Sequence, residues 1–386
     1  MKRIATAIVA LGAAGALALT SCASPERAGS NTTPAPPTSG SASSTAAASQ
    51  FPTFDANATI GVSLPQKTSE NWVLAEGLFN EGLTAAGYKP IVNFADGGVS
   101  EQQSQIAAQI TNGAKVIVIG AIDGSQLGDQ LAQAKQAGVT IIAYDRLLTN
   151  TADVDMYVAY DNFKVGVLQG TALLEGLAKS QGASPWNVEL IAGSPDDANS
   201  KPFFEGAMSV LQPKIDDGTL KVPSGQVTQS QVATQGWLAS EAQKRMDSIL
   251  AANYSSGAKL NGVLSPNDTL ARAALAATKA AGLPNPVITG QDSEVESVKL
   301  VADGTQYSTI NKDTNTLVKQ VIDIIGQLQK GETIAFNDTT SYNNGVKVVP
   351  AFLLEPKIIT KDNVCTGYDP ATAAGKAAAE TALCKG

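Results

Sequence analysis

The chain has no histidine among its 386 residues. That absence removes the side chain most used as a general base, the commonest metal ligand and the centre of a Ser-His-Asp triad. Cysteine is almost as scarce. Cys22, Cys365 and Cys384 are too scattered for a zinc site. Positive charge is in the minority, with 27 Lys and Arg against 35 Asp and Glu, a net −8. Without residues 1–21, which carry Lys2 and Arg3 and no acid, the balance is 25 against 35, or −10. Nucleic-acid binding rests on basic patches, so a chain this acidic is unsuited to it.

The sequence also lacks an apolar run long enough to cross a bilayer, which takes about 20 residues. Its one sustained run, residues 4–19, follows Lys2 and Arg3 and reads as a secretory signal. Leu19-Thr20-Ser21-Cys22 resembles the bacterial lipoprotein box, in which cleavage before the cysteine accompanies its diacylation. Cys22 is therefore expected to carry a lipid anchor; the alternative is an ordinary secreted protein with a spare thiol. Residues 23–56 are rich in Ser, Thr, Ala, Pro and Gly. Such a stretch buries too little apolar surface to offset its ordering entropy, and is expected to be a flexible tether.

What is present is a regular strand–helix alternation. Its clearest unit is residues 115–146, KVIVIGAIDGSQLGDQLAQAKQAGVTIIAYDR. Two β-branched runs flank a helical stretch at the spacing of a parallel βαβ unit, and neither run alternates with polar residues, as when helices cover both faces of a sheet. Strands are expected near 59–64, 91–94, 116–119, 139–143, 156–159, 188–192, 220–222, 263–265, 287–289 and 306–310, with helices between. A chain longer than one core and alternating throughout predicts two successive open α/β domains.

Ligands of open α/β sheets bind at the carboxyl ends of the strands. Asp145 and Arg146 follow one strand directly, and a carboxylate beside a five-donor guanidinium suits a polyhydroxylated ligand. A surface ion pair is the plain alternative. Asp197 and Asn199 in SPDDANS, Asn267 and Asp268 in LSPND, Asp292 in GQDSE and Lys312 in TINKD also stand at strand ends. Taken singly, each could be a turn or cap residue. Trp72 opens the first helix and Trp237 one in the second half; such rings either stack on a sugar face or sit half-buried in a core. Trp186 is assigned to the core. Cys365 and Cys384, the two thiols left in an exported chain, are expected to form a disulfide that staples the tail and serves stability, not affinity.

Residues 58–354 resemble the type I periplasmic binding proteins, in particular the xylose-binding and multiple-sugar-binding receptors of ABC importers. AYDRLL, YDNFKVGVLQ, AGSPDDANS, LSPND, TGQDSEV and QYSTINKDT occur in order at matching intervals. The resemblance implies two Rossmann-like parallel-sheet domains joined by a three-strand hinge. They would be a first lobe of 58–161 plus 313–345 and a second of 162–312 plus 346–386, which carries the stapled tail. It implies ligand contacts from Asn71, Trp72, Asp145, Arg146, Asp197, Asn199, Trp237, Asn267, Asp292 and Lys312. Two positions depart from the xylose-type pattern: Asn71 replaces an arginine, and Ala198 the first of two asparagines. Both bear on which sugar is held.

The implied protein is a monomer without metal or cofactor. It is tethered outside the cytoplasmic membrane, captures an aldopyranose such as xylose, glucose, arabinose or galactose by cleft closure, and docks on a permease. Two other readings are a sensor reporting to a chemotaxis or kinase receptor, and an α/β enzyme using Asp145, Asp197 and Asp292 as acid–base groups.

Overall fold

The computed structural model describes residues 51–386 apart from residue 68. The first half runs β1 (Thr59–Leu64), α1 (Glu70–Ala85), β2 (Lys89–Phe94), α2 (Val99–Thr111), β3 (Val116–Ile119), α3 (Gly128–Gln136), β4 (Thr140–Tyr144) and β5 (Met156–Tyr160). Then come α4 (Asn162–Ser180), β6 (Trp186–Leu190), α5 (Ser200–Asp216), β7 (Leu220–Lys221), α6 (Gln229–Val232), α7 (Ala239–Asn253), β8 (Gly262–Leu264), α8 (Asp268–Ala280), β9 (Val287–Ile288), α9 (Val295–Asp303) and β10 (Ser308–Asn311). The chain closes with α10 (Thr314–Lys330), β11 (Ala351–Leu354), β12 (Lys357–Thr360), α11 (Ala373–Glu380) and α12 (Ala382–Lys385).

Two parallel sheets result, ordered β11-β5-β4-β3-β1-β2 and β7-β6-β8-β9, as the alternation predicts. Because side chains alternate across a strand, each sheet feeds two cores. In the six-stranded sheet, Ile60, Val62, Val116, Val118, Ile142 and Val158 pack under α1 and α10. Their neighbours Ile117, Ile119, Ile141 and Ala143 pack under α2 and α3. The smaller sheet is likewise covered by α7 and α8 on one face and by α4 and α5 on the other. That double burial is why the strands read as continuous Val/Ile runs.

In each sheet the first strand of its half lies inside and the second outside, giving β2-β1-β3 and β7-β6-β8. This reversal opens a crevice at the strands' carboxyl ends. The chain passes between the halves at 160–162, at 311–314 and at 354–357. Tyr160 ties two of these passages together by donating its hydroxyl to the Asp313 carbonyl at 3.1 Å.

Three expectations need correction. Residues 346–386 do not all belong with the second half, because β11 is the parallel edge strand of the first sheet against β5. The return falls after Leu354, where β12 pairs antiparallel with β10. The expected tether also runs too far: Phe51 and Phe54 pack on the first core, with the Phe54 and Tyr88 ring centroids 6.3 Å apart. Two aromatics are enough to dock a segment otherwise poor in apolar residues. Lastly, Trp237 does not open a helix but ends a 3₁₀ turn, Gln235–Trp237, ahead of α7. Cys22 and residues 1–50 lie outside the described residues.

Candidate functional site

Thirteen residues from both halves line one cavity at the strands' carboxyl ends. All ten ligand contacts implied by the family resemblance are among them, Asn71, Trp72, Asp145, Arg146, Asp197, Asn199, Trp237, Asn267, Asp292 and Lys312, whereas the strand-end residue Asp268 is not and accepts from the Glu294 N–H instead. The structure adds Ser69, Phe203 and Gln291.

The backbone aims several of these side chains by unusual means. Asp145 (φ 60°), Trp237 (φ 56°) and Asp292 (φ 91°) adopt left-handed backbone, among five such non-glycine residues in the described chain. Each costs on the order of 1 kcal/mol, and such residues cluster at binding sites. Asp145 is the middle of a γ-turn in which the Arg146 N–H donates to the Tyr144 carbonyl at 2.6 Å. The turn ends β4 abruptly and sends both side chains into the cavity.

The charges are paired across it. Arg146 Nε lies 2.9 Å from Asp197 Oδ2, and the guanidinium stands 5.3 Å from the Trp72 ring while its Nη1 donates to the Ala121 carbonyl at 3.0 Å. Lys312 Nζ is 3.4 Å from Asp145 Oδ2, 3.5 Å from Asp292 Oδ1 and 5.4 Å from the Phe203 ring. Its partners are thus the cavity carboxylates, whereas the adjacent Asp313 caps α10 by accepting from the Asn315 N–H at 3.0 Å. Burial pushes the Asp292 carboxyl up to about 6, with Lys312 opposing the rise and Glu294 adding to it. Burial likewise raises Asp197 against the pull of Arg146. Burial disfavours the charge on Lys312, but Asp145 and Asp292 prevail and hold its ammonium above the ordinary range.

Other groups serve the walls. Asp197 accepts from the Trp237 indole N–H at 3.1 Å and from the Asn199 N–H at 2.9 Å, fixing the ring and the loop together. Asn199 donates to the Asp145 carbonyl at 2.9 Å and accepts from Tyr157 Oη at 3.1 Å and Asn162 Nδ2 at 2.9 Å. Its amide is therefore spent on joining the halves. Asn267 accepts from the Leu270 N–H at 2.9 Å as the cap of α8, which leaves Nδ2 for the cavity. Among the thirteen lining residues two polar atoms are buried without a hydrogen bond: Gln291 Oε1, and Arg146 Nε, whose N–H is not directed at the nearby carboxylate.

Room for both indoles comes from glycines after β3 and β6. A Cβ on Gly120 would come within 3.1 Å of Trp72, and one on Gly193 within 2.1 Å of Trp237. Ala198, in place of the expected asparagine, packs against the apolar core of the first half and adds no polar group. Phe203 and Gln291 had no signal of their own in the sequence; Gln291 was findable only as the neighbour of Asp292. Among the described residues no group of three or more His, Cys, Asp or Glu side chains is arranged to hold a metal ion.

Residues 60–333 match the periplasmic binding protein domain. The chain is 45% identical to the multiple sugar-binding periplasmic receptor ChvE of Rhizobium radiobacter, over 81% of this chain and 90% of that one. It is 36% identical to the D-xylose-binding periplasmic protein of Escherichia coli, over 79% and 87% of the respective lengths. An ABC transporter solute binding protein from Clostridium phytofermentans, solved with bound β-D-glucose, aligns with TM-score 0.76 at 41% identity, covering 79% of this chain and 94% of that one. With paired sheets, a shared cleft and relatives matching over most of their length, the chain belongs to the periplasmic binding protein domain family.

Proposed function

We propose that this protein is the solute-binding component of an ABC importer and captures a neutral monosaccharide, an aldopyranose such as glucose, xylose, arabinose or galactose. The observation that carries this reading is the convergence of Trp72, Arg146, Trp237, Asp292 and Lys312, from both halves of the chain, on one cavity. Indole planes supply surface for the apolar faces of a pyranose, and paired cations and carboxylates supply donors and acceptors for its rim. The unpartnered Arg146 Nε–H and Gln291 Oε1 are groups that a sugar hydroxyl would satisfy. Relatives that bind multiple sugars, xylose and glucose support the same class.

The mechanism is capture by closure of two lobes, 58–161 with 313–354 and 162–312 with 355–386. Contacts such as Arg146–Asp197, Asn199–Asp145 and the Val295 N–H on Glu70 at 2.9 Å join the two sides, and a sugar adds contacts available only when both are close. The protein binds and does not turn over its ligand. Cys22 as a lipid anchor would keep the receptor beside its permease. Titration calorimetry against glucose, xylose, arabinose, galactose, ribose and fucose is expected to show saturable heat with at least one; silence with all six would sink the reading.

A further inference from the structure

The tail beyond β12 has no assigned part in binding, yet it reaches the turn that presents Asp292. Tyr368 donates its hydroxyl to Ser293 Oγ at 3.1 Å. Its ring packs with Val298, Val301 and Ala302 of α9, the helix that starts two residues beyond Ser293. The Cys365–Cys384 bridge closes the loop that contains Tyr368 and α11, and Cys384 joins the same apolar cluster. At the near end of α11, Thr372, Ala373 and Ala374 share a recess with Asp292, Ser293 and Lys312.

The turn itself is under tension. Asp292 (φ 91°) and Ser293 (φ 52°) are consecutive non-glycine residues in left-handed backbone. Their main chain is held by the body of the protein: the Asp292 N–H donates to the Ile310 carbonyl at 2.9 Å, the Ser293 N–H to Thr309 Oγ1 at 3.2 Å, and the Glu294 N–H to Asp268 Oδ2 at 3.0 Å. The Ser293 side chain is held by the tail. Backbone in this region persists only where its surroundings over-determine it, and a hydroxyl clamp on the second of two strained residues is such a constraint.

We propose that the stapled tail is a clamp on the Asp292–Ser293 turn and that Tyr368 is a positioning residue for ligand binding, acting through Ser293 on where the Asp292 carboxylate stands. This rests on the reading of the cavity as a monosaccharide site. It also changes the role expected of the disulfide, from stability alone to stability and affinity together.

The test uses the full chain with Tyr368→Phe, which keeps the ring and removes the hydroxyl, Ser293→Ala, and the double variant. Affinity is read by calorimetry with whichever of glucose, xylose, arabinose, galactose, ribose and fucose the wild type binds most tightly. Each single variant is expected to weaken binding about fivefold, and the double variant no further, because both remove the same hydrogen bond. Amide exchange should quicken over 291–296 and stay unchanged in the six-stranded sheet. A Kd for Tyr368→Phe within twofold of wild type, or single effects that multiply in the double variant, would overturn the proposal. If the wild type binds no sugar, the monosaccharide reading falls instead. Exchange over 291–296, which needs no ligand, then decides the clamp alone: unchanged protection in Tyr368→Phe would overturn it.

Discussion

Trp72 and Trp237 line one cavity, each packed into the core of its own half, and their backbones aim them differently. Trp72 is the third residue of a regular helix, and its ring meets Tyr144 edge-on at 6.0 Å, with Phe79 behind at 5.1 Å from the same tyrosine. It is part of the first core. Trp237 follows Gly236 in a 3₁₀ turn, has φ 56°, and is oriented by an indole hydrogen bond to Asp197. Both rings are packed in a core, Trp72 in that of the first half and Trp237 with Met246, Ile249 and Leu270 in that of the second, and Trp237 adds a polar contact and a left-handed backbone. Each is therefore tied to the stability of its half, and the orientation of the second depends on one polar partner as well.

That contrast can be broken by truncating each ring. Trp72→Ala is expected to cost about 3–5 kcal/mol of folding stability as well as affinity, because it opens the core under α1. Trp237→Ala should also cost folding stability, by opening the core under α7 and α8, and remove on the order of 1–3 kcal/mol of sugar binding. Chemical denaturation and calorimetry on the same two variants check this, and a denaturation midpoint left in place by either change would show that its ring does not hold its core.

A subtler probe adds matter behind the rings instead of removing them. Gly193→Ala would drive a methyl group into the Trp237 ring and is expected to cost roughly 2 kcal/mol of affinity. Gly120→Ala meets Trp72 at a distance a small shift can absorb, so its effect should be well under half as large. Titrations that rank the pair in the opposite order would show that the indole of Trp237 has slack to move.

The smallest expected effect concerns charge. Burial raises the Asp292 carboxyl to about 6, so the fold favours its neutral form. The matching contribution to stability is present at pH below the ordinary carboxylate range and is lost as pH rises through about 6. Binding runs the other way, since the carboxylate is the stronger acceptor for sugar hydroxyls. Affinity should therefore fall severalfold between pH 7.5 and pH 5, and Asp292→Asn should flatten the profile.

Strand and helix positions were legible because β-branched runs and glycine stops recur at regular spacing, as in residues 115–146. The site residues were legible because they stand at strand ends in motifs shared with a known family. Their division of labour was not. Nothing in SPDDANS announces that Asn199 will spend its amide on Asp145, Tyr157 and Asn162, since those partners are distant in sequence. The left-handed backbone at Asp145, Trp237 and Asp292 was equally hidden, because tertiary contacts impose it on residues that do not favour it. The edge strand β11 escaped notice because AFLL is short and follows a long loop.

The cavity holds three carboxylates, Asp145, Asp197 and Asp292, and two cations, Arg146 and Lys312, already set against them. A uronic acid or a sugar phosphate entering here would find each cation in company and would add its own charge to a surplus of negative ones. An amino sugar would have to displace a lysine or an arginine from its partner to be welcomed. On the proposed reading, such internal pairing would favour cargo without formal charge, so that ionic state would be sorted before a single hydroxyl is read.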